Sequence, residues 1–217
     1  MAVDLDGTLI KTDLLAEAFV KLIFISPWRA LWALTVLLTR GRLQFKHFVF
    51  ANVQMNWASI PLRESVLSLI DDYRKQGRRV VLATATLKSV AESFASAAFP
   101  GSYFDEVLGS DDAVNLKGPR KLALLSSRFR DGFAYVGDAA CDVPIWRRSR
   151  IAYEVAPSPN WSRRLAAQGV VTHWIPSDNL GTGLQTRMKI WGRALRLHHW
   201  GEKHPDLCGS SGRASSA

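Results

Sequence analysis

Two carboxylates, Asp4 and Asp6, stand one residue apart in "VDLDGTLIKTD" (residues 3–13), behind an apolar residue and ahead of a glycine. Residues i and i+2 of an extended segment point the same way, so both acids can face one pocket. Further polar residues lie far downstream. Thr84 ends the apolar run "VVLAT", Asp138 ends "FAYVGD" with Asp142 four residues on, and Lys117 lies in "NLKG". Carboxylates that converge repel each other unless a cation sits among them. Oxygen-only ligands suit a hard ion, and Mg2+ is the usual choice next to a phosphate. A carboxylate so placed can attack phosphorus and form an aspartyl-phosphate. Asp4 is the candidate attacker. Asp6 is the candidate proton shuttle, protonating the leaving oxygen and then deprotonating the water that releases phosphate. Lys117 and the Thr84 hydroxyl would offset charge on the transferring group. Lys121, four residues beyond Lys117, is the alternative lysine.

For these residues to meet, each must sit at an equivalent strand end, because parallel sheets bind ligands beyond the carboxyl ends of their strands. The chain has the required rhythm. Strands are predicted at 78–84, near 104–108, and at 133–137, 151–155 and 170–175. Helices are predicted at 62–76, 87–98, 119–129 and 160–168. The alternation implies an α/β fold with a doubly wound parallel sheet. Residues 13–60 break the pattern. Leu15, Phe19, Leu22 and Ile23 recur at helical spacing after Thr12 or Asp13 as N-cap. Ser26 and Pro27 fit the cap and first position of a second helix that Gly41 ends, and a third helix is expected over 43–56. The expected organisation is a core of 1–12 and 61–180, an all-helical insertion at 13–60, and a basic, poorly ordered tail at 181–217.

At 217 residues the chain can bury one sizeable core. A net charge of +9 points to anionic company, such as a phosphorylated substrate or a membrane face. The basic residues are scattered and no recognition motif appears, which argues against nucleic acid as partner. Two cysteines, Cys141 and Cys208, form no metal-type spacing, and a reducing compartment is expected. The five histidines show no ligand spacing either. The first residues are a short apolar strand ending in acid, which does not fit a signal peptide. The longest uncharged run within residues 14–39 is ten residues, 30–39, against about 20 needed to cross a bilayer. That segment is therefore expected to be a buried or interfacial helix. The expected location is cytoplasmic, with peripheral contact at the inner membrane face.

The motifs "DLDGT", Thr84 at its strand end, Lys117 in "NLKG" and "GDAACD" resemble motifs I to IV of the haloacid dehalogenase (HAD) superfamily, over roughly residues 1–175. The resemblance implies a Rossmann-like core and phosphatase chemistry. It makes Asp4 the nucleophile and Asp6 the acid/base, with Thr84 and Lys117 on the phosphoryl group. Asp4, the Asp6 backbone carbonyl and Asp138 would hold Mg2+, with Asp142 either a ligand or a partner of the ligands. An acid at position 6 favours phosphoryl transfer over dehalogenation. The helical insertion resembles the C1 cap that closes over such sites and selects a small phosphate ester. A finer likeness, carried by "GRRVVLATA", "FDEVLGSD" and "RALRLHHW", is to the HAD domain of bacterial UbiA-type prenyltransferase fusions. It implies a prenyltransferase partner and a substrate such as a phosphorylated polyprenyl-linked sugar. The chain then departs into "GEKHPDLCGSSGRASSA", which suits a truncated fusion or a stand-alone domain. Two rival functions stay open: a phosphotransferase or phosphomutase, and a catalytically idle remnant of a fusion.

Overall fold

The two-residue strand β1 (Ala2–Val3) lies at the centre of the sheet, between β2 (Val81–Leu87) and β4 (Ala134–Gly137), and pairs parallel with both. With β3 (Glu106–Ser110), β5 (Ile151–Val155) and β6 (Thr172–Ile175), the order is β3-β2-β1-β4-β5-β6, all parallel. The computed structural model describes residues 1–99, 101–155 and 159–176. The expectation for the tail at 181–217 falls outside them. The sheet is the doubly wound one that the strand–helix rhythm predicts. Strand order reverses between β1 and β4, and ligands bind at such a switch point.

Alternation along the strands divides the core into two layers. Val3, Leu82 and Val136 face one side, where Val66, Ile70 and Tyr73 of α3 (Glu64–Lys75) and Ala91 and Phe94 of α4 (Lys88–Ala98) cover them. Ala2, Val81, Ala83 and Tyr135 face the other. There they meet Leu125 of α5 (Pro119–Arg128), Ile145 and Trp146 of α6 (Val143–Arg148) and Leu165 of α7 (Pro159–Ala167). Strands buried on both faces explain the unalternating apolar runs in the sequence.

Between β1 and β2 the chain forms α1 (Leu14–Ile25) and α2 (Pro27–Ala51), followed by a single 3-10 turn at Trp57–Ser59. Asp13 caps α1 by accepting from the Ala16 amide. Ser26 makes no side-chain cap bond, so the Pro27 start rests on the proline alone. Gly41 (φ +81°, ψ −178°) breaks the helical path, as expected, but the following piece ends at Ala51, not 56. These helices have a small core of their own: Ala18 and Leu22 against Ala30, Ala33, Phe45 and Val49.

Candidate active site

The loop after β1 decides where the acids go. Val3 is the last paired residue, and the Asp4 amide still donates to the Val136 carbonyl at 3.0 Å, which holds Asp4 at the sheet's edge. The chain then turns through Leu5–Leu9, closed by the Ile10 amide on the Leu5 carbonyl at 3.0 Å. Gly7 takes φ +73°, which side chains disfavour. Its missing Cβ also matters for space: a Cβ there would stand 2.1 Å from Asp138 Oδ2. Buried Arg63 fastens the loop, donating to the Thr8 and Gly7 carbonyls at 3.1 Å each.

The strand ends then bring three acids together. Carboxylate oxygens of Asp4, Asp138 and Asp142 lie within 4.8 Å of one another. Asp4 and Asp142 are buried, and Asp138 is half-buried. Thr8 Oγ1 donates to Asp138 at 3.1 Å, and Tyr135 Oη donates to Asp142 at 2.9 Å. Burial and then the charge of Asp4 raise the Asp138 pKa to about 7 and that of Asp142 to about 6. The cluster thus carries more negative charge than its side chains neutralise. An all-oxygen set with excess charge fits a hard divalent cation such as Mg2+.

One lysine enters this cluster, and it is Lys121. Its Nζ lies 3.0 Å from Asp4 Oδ2 and 3.7 Å from Asp142 Oδ1, and it donates to Tyr135 Oη at 3.0 Å. Burial works against its charge, but Asp4 and Asp142 outweigh it and hold the pKa raised. Lys117 is exposed in the loop ahead of α5. The expectation for Lys117 is therefore corrected: Lys121 is the lysine at the acids. The reason is local. Gly118 turns the chain at φ +55°, Pro119 opens α5, and Lys121 then falls in helical phase with buried Leu125.

Asp6 stands apart from the trio. Its side chain accepts from the Leu14 amide at 2.9 Å, from Thr86 Oγ1 at 2.7 Å and from Thr84 Oγ1 at 3.5 Å. Burial, then the charge of Asp13, raises its pKa to about 7, the range a proton shuttle needs. Thr84 is fully buried, and its Oγ1 also accepts from the Thr86 amide at 3.0 Å. Thr86 makes the shorter bond to Asp6 and was not among the residues expected from the motifs. The available signal was its i+2 spacing from Thr84.

Buried Lys46 of α2 was likewise unforeseen. Its Nζ donates to the Ala85 carbonyl at 2.5 Å and to Asn115 Oδ1 at 2.9 Å, tying the insertion to the β2 end. His47 lies 3.4 Å from Asp112, and His173 packs beside Tyr153; neither belongs to the acidic trio.

The structure bears on Gly7 directly. Gly7→Ala should push Asp138 aside as well as strain the turn, and weaken Mg2+ binding on the order of 10- to 100-fold. A Mg2+ titration followed by thermal shift, against wild type, measures it.

A doubly wound parallel sheet with acids gathered at its switch point is the HAD-like arrangement. The sequence model of the haloacid dehalogenase-like hydrolases matches residues 2–147, and the chain belongs to that family. The uncharacterized protein y4nM of Sinorhizobium fredii NGR234 is 34% identical over 197 residues, 91% of this chain. The chain spans only 36% of that relative's length. Among solved structures, a protein of unknown function from Bordetella pertussis Tohama I superposes with TM-score 0.58 at 15% identity, covering 82% of this chain and 96% of its own. A phospho-aspartyl intermediate analogue of phosphoserine phosphatase gives TM-score 0.52 at 11% identity, covering 87% and 96%. At such identities the likeness is one of fold.

Proposed function

We propose that the protein is a phosphatase that cleaves phosphate monoesters through phospho-Asp4 and depends on a divalent cation. The observation that carries this is Asp4 poised between Lys121 at 3.0 Å and the Asp138–Asp142 pair. Asp4, Asp138 and Asp142 would hold Mg2+, which supplies charge neutralisation for the incoming phosphoryl group. Lys121 holds the Asp4 carboxylate in place at 3.0 Å, and its ammonium offsets charge on the phosphoryl oxygens. Asp6, with a pKa near neutrality, protonates the leaving oxygen and then takes a proton from the attacking water. Thr86 and Thr84 hold the Asp6 carboxylate toward β2. The helical insertion acts as the C1-type cap that selects substrate, and Lys46 is its fastening to the β2 end. Membership of the haloacid dehalogenase-like hydrolases supports the reaction class.

The finer substrate reading is a phosphorylated polyprenyl-linked sugar handled at a membrane face, with a UbiA-type prenyltransferase as partner. Its support is the cationic, apolar-faced insertion and the much longer relative y4nM. A phosphate-release screen with Mg2+ and with EDTA tests both levels. Release that requires Mg2+ is expected, with lipid-linked phosphates exceeding soluble sugar phosphates. Turnover indifferent to EDTA contradicts the cation. Soluble esters turning over far faster contradict the lipid-linked substrate.

Metal-free protein offers a second test. Asp138 binds a proton in the folded state up to about pH 7, while an unfolded aspartate releases it near 3.9. Folding therefore takes up protons in that window, and stability falls as pH rises through it. Thermal melts should show the metal-free protein losing several degrees between about pH 4 and 7, with Mg2+ restoring them at the upper end. Asp6 and Asp142, whose pKa values are raised as well, share this dependence, so Asp138→Asn should lessen its slope and abolish the Mg2+ response. A wild-type melt unmoved by Mg2+ at the higher pH would contradict the proposed site.

A further inference from the structure

The outward face of α2 is apolar and has no partner among the described residues. Trp28 is 81% exposed, Trp32 61% and Leu38 84%, with Leu31 and Leu34 exposed between them. The spacing i, i+3, i+4 puts these residues on one side of the helix, opposite buried Ala30 and Ala33. Ile23, Phe24 and Ile25 at the end of α1 are exposed as well. Isolated exposed apolar residues need no explanation, but a contiguous stripe with two tryptophans marks an interaction surface.

Two observations define the occupant. The polar groups on this face are spent internally: Thr35 Oγ1 donates to the Trp32 carbonyl and Thr39 Oγ1 to the Thr35 carbonyl, each at 2.7 Å. The face can therefore enter hydrocarbon without leaving these hydroxyls unsatisfied. Its own stretch of chain also carries one sign of charge. Between Glu17 and Glu64 the sequence contains no acid, while Lys21, Arg29, Arg40, Arg42, Lys46 and Arg63 are all basic. Of these, Arg29, Arg40 and Arg42 are exposed beside the stripe. No helix among the described residues is long and apolar enough to cross a membrane, so the helix would lie in the interface plane.

We propose that α2 docks the protein on an anionic lipid bilayer, with Trp28, Leu31, Trp32 and Leu38 in the headgroup–acyl boundary and Arg29, Arg40 and Arg42 on the lipid phosphates. The docking does not depend on the phosphatase reading; only the lipid-linked substrate depends on the docking.

Vesicle sedimentation of the full chain tests it. Wild-type protein is expected to pellet with vesicles of phosphatidylcholine and phosphatidylglycerol and to stay largely in solution with phosphatidylcholine alone. At about fivefold per arginine near such a surface, Arg29→Glu/Arg40→Glu/Arg42→Glu should lower partitioning at least a hundredfold. Trp28→Ser/Trp32→Ser/Leu38→Ser should also release it, with circular dichroism and the melting temperature unchanged. Failure of wild type to pellet, indifference to the anionic lipid, or binding that survives loss of the apolar side chains overturns the proposal. So does a wild-type dimer that the serine variant turns monomeric without any vesicle binding, since the face would then meet a second copy of the chain.

Discussion

Lys121→Met should abolish turnover and loosen the fold, whereas Lys117→Met should do neither. Lys121 is buried between Asp4 and Asp142, and removing it leaves two carboxylates uncompensated in an apolar setting. Breaking a buried pair by deleting one partner costs about 3–5 kcal/mol. For a domain of this size that lowers the melting temperature on the order of 10 °C. Mg2+ should recover part of the stability, because a cation among the same acids offsets the same repulsion. It should not recover turnover, because the ammonium facing the phosphoryl group is gone. Exposed Lys117 should tolerate Met within about 0.5 kcal/mol, and turnover within about twofold. Paired melts and phosphate release on the two variants decide the assignment. Equal losses in both would show that the lysines act together.

The second large effect is expected at the amino-terminal acids, and the two should fail differently. Asp4→Asn keeps the shape but removes the attacking oxygen's charge, and turnover should fall on the order of 10^4-fold or more. Asp6→Asn keeps the attacker and removes the shuttle. It should still accept a phosphoryl group from a donor with a good leaving group, and then fail to release it. Donors with poor leaving groups should suffer far more than activated ones, because only they need a proton. Equal sensitivity of both donor types would argue against Asp6 as the acid.

How much of this was legible beforehand follows from local physics. Strand ends announce themselves, because an apolar run that stops at a polar residue is a property of a few adjacent positions. Asp4 and Asp138 follow β1 and β4 in that way, and the parallel sheet is legible with them. Lys117 was misplaced because the loop was read by motif alone. The phase of α5, set by Pro119 and carried by Leu125, assigns the inward position to Lys121. Thr86 was missed because β2 was ended at residue 84, whereas the strand runs on to Leu87 with a register irregularity between Ala83 and Leu87. Lys46 could not be found from sequence, since its partners Ala85 and Asn115 are distant and nothing near it in the chain sets it apart from Arg29, Arg40 and Arg42 of the same helix. The apolar stretch at 14–39 was read as buried or interfacial. Leu22, Ala30 and Ala33 are buried, while Trp28, Trp32 and Leu38 point outward.

The central claim is that Asp4 becomes covalently phosphorylated. Asp6→Asn protein, incubated with acetyl phosphate and Mg2+ and quenched in acid, can be weighed intact and then mapped by peptide. One added phosphoryl group on the peptide bearing Asp4, absent without Mg2+ and absent in Asp4→Asn, is the predicted result. Phosphate released by wild type with no adduct on Asp4 in any variant would contradict the account.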